Sequence, residues 1–468
     1  MTDINNMKDT ICAPATPASP SAIGVIRVSG EMSIEIMKGL FRLLDGKKED
    51  FKQTINPKVR IGNIIDFNKR VVDQVVCTFF FAPRSYTGEN TVEISHHGSP
   101  YIQNKILELL IANGARMAKN GEFSQRAFLN GKMNLSQTEA VADLIQSRSA
   151  IAHHLAIQQL KGGYQKTLSI LRKDLLNFLS LLEIELDFSE EDLEFAQREK
   201  LVESINNIGI TVDKLVKSFS AGNAFKNGLP IAIIGKPNAG KSTLFNAILN
   251  DERAIVSSIA GTTRDTIEEM VTFNGVEYRF IDTAGIRKST DPIELEGIKR
   301  SYKAIEDANI VIYVADVNEM LPSEAQFDLI ETDKQISLKG KKIIIIANKF
   351  CEEDLLEKEI KGWEELNAVK AVAKDKVGID DLINRIATIA HNEIVNIDVL
   401  TTNARHWEAL KKANDALKTA KDNINNQMPT DIIASDIREV LHYLGEITGE
   451  VTTDELLSNI FSKFCIGK

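Results

Sequence analysis

The chain has 468 residues, which is too long for a single hydrophobic core and predicts two to four domains. Its apolar fraction of 43% and charged fraction of 26% are ordinary for a globular protein. The formal net charge of −10 argues against nonspecific polyanion binding by the whole surface, although it leaves room for a local basic patch.

Cysteine usage and hydropathy limit the cellular compartments in which the protein is expected to work. The four cysteines lie far apart and form no Cys-x-x-Cys pair, a pattern that favours a reducing compartment over a disulfide framework or a zinc site. No apolar run approaches the roughly 18 residues of a membrane span, and the amino terminus lacks the apolar core of a signal peptide. The sequence therefore predicts a cytoplasmic protein with no membrane partner.

The spacing of apolar residues divides the chain into four segments. Residues 1–130 alternate short β-like runs with a helix and predict an α+β domain. Residues 131–228 are mainly helical, and residues 229–391 alternate apolar strands with helices, as in a parallel sheet with crossover helices. Residues 392–468 are helical again. This order predicts an α/β domain inserted into one helical domain, although two separate bundles would produce the same pattern.

A phosphate-binding loop opens the third segment. The predicted strand 231–234 leads into Gly235-Lys236-Pro237-Asn238-Ala239-Gly240-Lys241-Ser242, and a predicted helix continues from Thr243. Backbone N–H groups of such a loop surround phosphate oxygens at the positive end of the helix dipole. We expect Lys241 to reach the β- and γ-phosphates and Ser242 to ligate Mg²⁺. Because a predicted strand precedes the loop and a predicted helix follows it, a glycine loop that matches the motif by chance is disfavoured.

Two further elements follow at the spacing of the switches of a GTPase. Gly261-Thr262-Thr263-Arg264-Asp265 supplies a hydroxyl for the Mg²⁺ shell, and Asp282-Thr283-Ala284-Gly285 ends a strand with an N–H that can meet the γ-phosphate. Ile286 occupies the position where Ras-like proteins carry a water-orienting glutamine, so another group must act. Spacing alone does not choose among three nearby acidic residues: Asp291, Glu294 and Glu296.

The base-reading elements depart from the usual GTPase motifs. Asn348-Lys349-Phe350-Cys351 stands where GTPases have Asn-Lys-x-Asp, and a Cys351 thiol cannot accept hydrogen bonds from guanine N1 and N2. Glu352 or Glu353 could substitute after a small loop shift. Val372-Ala373-Lys374 fills the place of the usual Ser-Ala-Lys loop. These residues predict a guanine preference that Cys351 weakens.

Motifs outside the third segment carry a family resemblance. They are Thr87-Gly88-Glu89, His97-Gly98, Gly121-Glu122-Phe123, Arg126–Lys132, Ile447–Glu450, Ile460–Ser462 and Phe464–Lys468. Together with the central motifs, they make essentially the whole chain resemble the MnmE (TrmE) family of tRNA-modification GTPases. The resemblance implies an N-terminal folate-binding α+β domain, a helical domain, and a Ras-like P-loop G domain inserted in the helical domain.

The resemblance also implies a function. Family members form homodimers and pair with the flavoprotein MnmG, and together they install an aminomethyl or carboxymethylaminomethyl group at C5 of the wobble uridine of certain tRNAs. The carbon comes from a tetrahydrofolate one-carbon derivative, either 5-formyl- or methylene-tetrahydrofolate. The alternative is a potassium-dependent regulatory or ribosome-assembly GTPase, which would share the central motifs but lack the N-terminal elements and the Cys-Ile-Gly-Lys tail.

Roles in nucleotide binding follow from the resemblance residue by residue. Glu294 matches the glutamate that positions the attacking water, and it joins Lys241 as a catalytic residue. Ser242 and Thr263 match the Mg²⁺ ligands. The K⁺ ligands implied are Asn238, Ser257, Ile259 and Thr262. The implied GTP-binding residues are Asn238, Ala239, Gly240, Lys241, Ser242, Thr243, Ser257, Ser258, Ile259, Ala260, Gly261, Thr262, Thr263, Asp282, Thr283, Ala284, Gly285, Asn348, Lys349, Val372, Ala373 and Lys374.

The resemblance places folate contacts at Arg27, Glu93, Lys132 and Lys468. A cation suits the glutamate tail of a folate, and a carboxylate suits the donor edge of the pterin. Cys465 is a candidate thiol, because a thiolate could add to uridine C6. The nearby basic residues in sequence are lysines only, so a structural or folate-adjacent role is favoured over a covalent one.

Overall fold

The computed structural model describes residues 9–48, 56–187, 198–256, 268–281, 304–335, 337–395 and 400–467. The chain divides into two compact units. The first comprises residues 1–142, 159–172 and 441–468, and the second comprises residues 143–158 and 173–440. Within the described ranges, no helix combines the length and apolar character that crossing a membrane requires.

A seven-stranded sheet forms the centre of the first unit. Its strands are β1 (Ile11–Pro14), β2 (Ile23–Ser29), β3 (Phe41–Leu43), β4 (Lys58–Ile65), β5 (Val71–Phe80), β6 (Thr91–His97) and β7 (Arg116–Met117). They lie in the order β3-β4-β5-β6-β2-β1-β7, and neighbours are antiparallel except β1 and β7. In β5, Val75, Cys77 and Phe79 are buried while Gln74 and Val76 are exposed, the alternation of a strand with one covered face.

Two helices cover the buried face of this sheet, α1 (Ser33–Leu40) and α2 (Pro100–Ala112). Pro100 stands in the first turn of α2, where its missing N–H costs no hydrogen bond. Ile106 and Leu110 of α2 are fully buried in one apolar cluster with strand residues such as Phe79. The helices therefore seal one face of the sheet, while β-branched side chains on the other strand faces stay exposed, among them Val59 and Ile61 at 54% each.

A buried arginine fastens the next helix, α3 (Glu122–Leu129), to the sheet region. Arg126 is 1% exposed, and its guanidinium pairs with Asp9 at 2.7 Å, Glu122 at 3.0 Å and Glu89 at 3.1 Å. A buried charge of this kind persists only when it is paired with opposite charges, because desolvation penalises an isolated one heavily. The Thr87-Gly88-Glu89 and Arg126 motifs are therefore parts of one structural cluster.

A second seven-stranded sheet forms the centre of the second unit. Its strands are β8 (Leu229–Ile234), β9 (Ile255–Val256), β10 (Glu269–Phe273), β11 (Val276–Ile281), β12 (Ile310–Asp316), β13 (Lys342–Asn348) and β14 (Val369–Ala371). They lie in the order β14-β13-β12-β8-β11-β10-β9, parallel from β14 to β11 and antiparallel at β10 and β9. Every residue of β8 and β12 is buried, as expected for central strands covered on both faces.

The remaining helices follow in chain order. They are α4 (Leu135–Gln146), α5 (Ala150–Leu160), α6 (Gly163–Asp187), α7 (Arg198–Asn227), α8 (Lys241–Leu249), α9 (Pro322–Gln335), α10 (Glu357–Glu365), α11 (Ile379–Val395), α12 (Ala404–Asn425), α13 (Thr430–Thr448) and α14 (Asp454–Phe461). Short 3-10 turns cover Glu352–Asp354 and Ala373–Asp375. Helix α8 contributes Leu244, Phe245 and Ile248 to the core of the second sheet.

Helix α7 ends just before the second sheet, and it packs against α12, which begins after that sheet. The rings of Phe219 and Trp407 stack at 5.2 Å between centroids with an interplanar angle of 21°. The Ser218 hydroxyl accepts a hydrogen bond of 3.0 Å from the Thr401 N–H. A Cβ on Gly222 would overlap the Thr401 carbonyl oxygen, so the backbones approach more closely than any side chain at position 222 would allow.

This close approach predicts opposite effects for two glycines of the same helix. Gly222→Ala should lower the free energy of unfolding by about 2 kcal/mol, because the added methyl group must push the Thr401 backbone away. Gly209→Ala is the matched control, because a Cβ there has no atom within 4 Å. It should raise stability by about 0.5–1 kcal/mol through helix propensity. Urea unfolding followed by circular dichroism measures both, and equal shifts would contradict the packing described.

Candidate functional sites

The glycine loop between β8 and α8 has the geometry of a phosphate-binding loop. Gly235 has a φ of +145° and Gly240 a φ of +93°, both in the region that disfavours side chains. A Cβ on Gly235 would overlap the Val314 carbonyl oxygen, and a Cβ on Gly240 would overlap the Asn348 side-chain amide. Both positions therefore require glycine, and the loop lies at the carboxyl end of β8, where parallel sheets bind ligands.

Lys241 begins α8 and folds back over this loop. Its Nζ donates hydrogen bonds of 2.8 Å to the carbonyl oxygens of both Gly235 and Lys236. Burial lowers the pKa of the Lys241 ammonium group. The cation is thus held beside the loop backbone by weak neutral acceptors, an arrangement suited to exchange for phosphate oxygens. Asn238, with a φ of +60° and an exposed side chain, forms the tip of the loop.

Asn348 joins the loop to two other parts of the site. Its side chain is 2% exposed, and its Nδ2 donates a 2.8 Å hydrogen bond to the Ala239 carbonyl. Its Oδ1 accepts a 3.1 Å hydrogen bond from the Ala373 N–H. One amide therefore connects the glycine loop, the end of β13 and the 3-10 turn at Ala373, so three segments predicted from the sequence meet at the same edge of the sheet.

Lys349 lies next to this junction and has an acidic partner that the motif analysis did not include. Its Nζ lies 2.5 Å from Asp316 Oδ2 and 3.4 Å from the Asn238 carbonyl oxygen. Asp316 is 4% exposed and ends the apolar strand β12. The signal in the sequence was an aspartate closing an apolar strand, which places a carboxylate at the carboxyl edge of a parallel sheet.

The segment around Cys351 shows what surrounds the unusual base-reading motif. Cys351 is exposed and precedes the 3-10 turn at Glu352. Glu352 pairs with Lys370 at 3.4 Å, and Lys370 also pairs with Glu364 at 2.9 Å. Glu352 is thus already engaged by a cation, which makes it a poorer substitute for the missing aspartate than its position in sequence indicated.

Several predicted nucleotide-site residues lie outside the described residues. They are Ser257, Ser258, Ile259, Ala260, Gly261, Thr262, Thr263, Asp282, Thr283, Ala284, Gly285 and Glu294. The described strand β10 begins shortly after the first of these segments, and β11 ends at Ile281, directly before the second. The predicted folate contact Lys468 lies outside the described residues as well.

A second candidate site, within the first unit, centres on Arg27. Its side chain is 13% exposed, and its Nε and Nη2 donate hydrogen bonds of 3.0 and 2.7 Å to Glu93 Oε1. The pairing of β2 with β6 puts these two residues directly opposite each other. The Arg27 guanidinium carbon lies 5.0 Å from the centre of the Tyr86 ring and 5.7 Å from that of Phe123, within cation–π range.

The carboxyl-terminal tail reaches this second site. Arg27 Nη1 donates a 3.3 Å hydrogen bond to the Gly467 carbonyl, and the Gly121 N–H donates one of 3.5 Å to the Cys465 carbonyl. Gly467 has a φ of +93°, and a Cβ there would overlap the Pro14 carbonyl oxygen, so the tail lies flat against β1. The structure therefore brings Cys465 and Gly467 to the same part of the fold as Arg27.

Lys132 makes its own set of contacts in the first unit. Its Nζ donates a 3.0 Å hydrogen bond to the Pro83 carbonyl, and its stem lies beside Gly88. Tyr86 and Phe123 were missed as neighbours of Arg27, although both stand inside or beside the quoted motifs. Their contribution depends on strands and helices meeting in space, which spacing along the chain does not show.

A glycine loop between a parallel strand and a helix, with a lysine inside it and an Asn-Lys pair at the end of another parallel strand of the same sheet, defines a P-loop GTPase. Two family models match the chain: "GTP-binding protein TrmE N-terminus" at residues 10–132 and "MnmE helical domain" at residues 135–465. The chain belongs to the MnmE family of tRNA modification GTPases, which confirms the predicted family and GTPase class.

Relatives named "tRNA modification GTPase MnmE" align over nearly their full length. The Flavobacterium psychrophilum protein is 46% identical, covering 98% of this chain and 99% of that protein. The Christiangramia forsetii protein is 45% identical, covering 99% and 100% respectively. Among solved structures, the G domain of the T. maritima FeoB iron transporter is 24% identical over 35% of this chain and 98% of that one. Its TM-score of 0.25 is too low to establish a shared fold.

The junction at Asn348 predicts a measurable loss of stability. Asn348→Ala would leave the buried Ala239 carbonyl and the Ala373 N–H without their partner, which should cost roughly 2–4 kcal/mol of unfolding free energy. Asn250→Ala is the control, because the exposed Asn250 amide bonds only to the Asn246 carbonyl of its own helix end. Its cost should stay near 0.5 kcal/mol. Chemical denaturation distinguishes the two, and similar small shifts would mean that Asn348 does not hold the loops together.

Proposed function

We propose that this chain is the GTP-hydrolysing component of a complex that modifies C5 of the wobble uridine of tRNA. The complex would include the flavoprotein MnmG and use a tetrahydrofolate one-carbon derivative. The main support for the proposal is that one chain holds two sites: the P-loop site, and the separate Arg27 site, which the carboxyl-terminal tail reaches. The matching family models at both ends of the chain support it, and they disfavour a switch GTPase without modification chemistry.

In this proposal, the P-loop site binds GTP with the roles that its geometry suits. Lys241 would exchange the Gly235 and Lys236 carbonyls for β- and γ-phosphate oxygens. Ser242 at the start of α8 and Thr263 would hold Mg²⁺, which neutralises charge on the phosphates when bound. Asn238, exposed at the tip of the loop, would hold K⁺ together with Ser257, Ile259 and Thr262. Such a cation suits the position because it stabilises charge that develops in phosphoryl transfer.

Guanine recognition would depend on the segments that Asn348 joins. Asn348 and Lys349 at the end of β13 would flank the base, and the Val372-Ala373-Lys374 loop would lie beside it. The usual aspartate is replaced by the exposed Cys351, and Glu352 is engaged by Lys370. We therefore infer a preference for guanine over adenine that is weaker than in GTPases with the full motif.

The Arg27 site would bind the folate donor. Glu93 is 31% exposed and could accept hydrogen bonds from the pterin, while Arg27 and the Tyr86 and Phe123 rings supply a cation and flat apolar surfaces. The tail brings Cys465 to the same site. In the proposal, Lys468 and Lys132 would contact the glutamate end of the ligand. A folate-adjacent role for Cys465 fits its exposed position better than a buried structural one.

We also infer that residues 229–391 form an inserted G domain between helical segments 131–228 and 392–468, after an N-terminal domain of residues 1–130. The packing of α7 on α12 supports this arrangement, because it joins the helix that precedes the G domain to the helix that follows it. The family model spanning residues 135–465 is compatible with one interrupted helical domain.

A homodimer would cover the open face of the first sheet. Val59, Ile61, Val76 and Ile23 are 54%, 54%, 38% and 63% exposed, which leaves β-branched side chains of three strands in solvent. Exposed apolar side chains on one sheet are typical of a face that meets a partner. A second copy is the partner that we propose, and the cytoplasm is the compartment in which tRNA and a reduced folate would both be available.

Glu294 provides the sharpest test of the catalytic proposal. Glu294→Ala should retain GTP binding and lose turnover by about a hundredfold or more, because the attacking water loses its positioning group. In a strain that lacks this protein, wobble-uridine modification should return with the unaltered chain and not with Glu294→Ala. GTP hydrolysis assays and mass spectrometry of tRNA nucleosides measure the two effects.

Two neighbouring acids serve as matched controls. Asp291→Ala and Glu296→Ala should keep turnover within about twofold of the unaltered chain, since the proposal gives neither carboxylate a part in positioning the attacking water. If Asp291→Ala abolished hydrolysis while Glu294→Ala did not, the roles would have to be reassigned. Full modification by the Glu294→Ala chain would separate the chemistry from GTP hydrolysis altogether and overturn the proposed function.

Removing the cation of the second site should weaken folate binding. Arg27→Ala leaves Glu93 without its partner and removes the stacked guanidinium, so 5-formyl-tetrahydrofolate should bind about tenfold or more weakly. Arg60→Ala is the control, because Arg60 lies on β4 and its Nη1 donates a hydrogen bond to the carbonyl of its neighbour Val59. Equilibrium dialysis of the full chain measures both affinities, and equal binding by the two variants would remove Arg27 from the site.

A further inference from the structure

The second unit contains a cavity that the nucleotide site does not use. Its volume is about 760 Å³, and its walls come from the β10–β11 hairpin, the end of α4, α5, α7 and Thr402. A cavity of about 300–1,000 Å³ is of the size that holds a small organic ligand. It lies at the opposite end of the sheet from the P-loop, because Tyr278 of β11 pairs with Leu229 at the start of β8. Gly235 follows about 20 Å further along that strand.

The hairpin turns one face toward this cavity and the other toward the core. Val271, Phe273, Tyr278 and Phe280 belong to the apolar core of the sheet. The alternate residues line the cavity, namely Glu268, Met270, Glu277 and Arg279. The strand register places Met270 opposite Arg279, so this face is continuous across both strands. The polar residues are therefore a second, separate surface of the hairpin.

Two polar atoms on that face have no hydrogen-bond partner among the residues that the structure describes. Glu277 is only 6% exposed, and its Oε1 accepts no hydrogen bond; the Nε of Arg279 donates none. Arg279 Nη1 is held 3.0 Å from Glu268, which fixes the guanidinium. Burial raises the pKa of Glu277, and nearby Arg148 acts in the opposite direction. Buried groups without partners are costly, so an acceptor and a donor side by side indicate a ligand that satisfies both.

The charge of the walls limits the chemistry of that ligand. Three acidic residues, Asp143, Glu268 and Glu277, face three basic ones, Arg148, Lys226 and Arg279. Lys226 is paired with Asp143 at 2.7 Å. A balanced set of charges favours a neutral molecule over a phosphate. Met270 and Leu155 add apolar surface for the faces of a ring.

We propose that this cavity binds a neutral heterocycle that carries a 2-amino-4-oxopyrimidine edge, the edge that guanine and pterins share. Glu277 accepts hydrogen bonds from the ring N–H and the exocyclic amine, and Arg279 donates to the oxo oxygen. A carboxylate beside an arginine matches this order of donors and acceptor, whereas adenine offers no oxo oxygen to the arginine. The site is distinct from the P-loop and from the Arg27 site.

Equilibrium dialysis of the full chain tests the proposal with three probes: guanosine, 6-hydroxymethylpterin and adenosine. One equivalent of GDP with Mg²⁺ occupies the P-loop site beforehand, and all variants carry Arg27→Ala so that the pterin does not bind at the Arg27 site. We expect guanosine or the pterin to bind and adenosine to bind at least about tenfold more weakly, since it lacks the oxo acceptor. If both guanosine and the pterin bind, the probe with the higher affinity indicates whether the natural ligand is a guanine compound or a pterin.

Variants assign the binding to the cavity. Glu277→Gln should weaken the bound probe about tenfold or more. Glu365→Gln, at an exposed acid on α10 outside the cavity, should leave the affinity unchanged. Ala156→Leu fills the cavity without altering its charges and should also abolish binding. Loss of binding in this second, independent variant shows that the effect of Glu277→Gln does not come from misfolding. Absence of binding by both guanosine and the pterin, or binding that survives both substitutions, would overturn the proposal.

Discussion

The second unit depends on one side-chain amide, that of Asn348. Parallel strands carry the glycine loop, Asp316 and the Asn-Lys pair to the same edge of a sheet, but strand geometry alone does not set how their loops meet. Asn348 bonds to the Ala239 carbonyl and to the Ala373 N–H from a position that is 2% exposed. Gly240 has to be glycine because this amide occupies the space of a Cβ. The same side chain therefore fixes both the conformation of the P-loop and the position of the base-reading segments.

A comparable constraint operates in the first unit, over a much longer stretch of chain. Arg27 on β2 bonds to Glu93 and to the Gly467 carbonyl, and the buried Arg126 joins Asp9, Glu89 and Glu122. Phe461 and Phe464 pack with Leu135 in one small apolar cluster. The Gly121 N–H, in one of the N-terminal motifs, donates to the Cys465 carbonyl of the tail, so motifs from the two ends of the sequence are in contact within this unit.

Two kinds of polar surface therefore coexist with the nucleotide site. At the Arg27 site, the charged groups are mutually paired and partly accessible, which suits reversible exchange with a charged ligand. In the cavity beside the β10–β11 hairpin, Glu277 and Arg279 keep buried atoms that have no hydrogen-bond partner among the described residues. The hairpin adjoins both segments expected to contact the γ-phosphate, so the cavity and the nucleotide site share an element of structure.

The sequence by itself determined the family, the P-loop and the order of strands and helices, because these depend on local spacing: glycines at positions 235 and 240, an apolar strand before them and a helix after them. It also singled out Arg27 and Glu93, which lie opposite each other on neighbouring strands. Only the tertiary structure decided that Asp316 partners Lys349, that Glu352 is engaged by Lys370, and that Tyr86 and Phe123 flank Arg27. It also showed that Lys132 donates a hydrogen bond to the Pro83 carbonyl. The physical reason is that these contacts join residues far apart in the chain, where packing and burial, rather than local conformational preference, choose the partner.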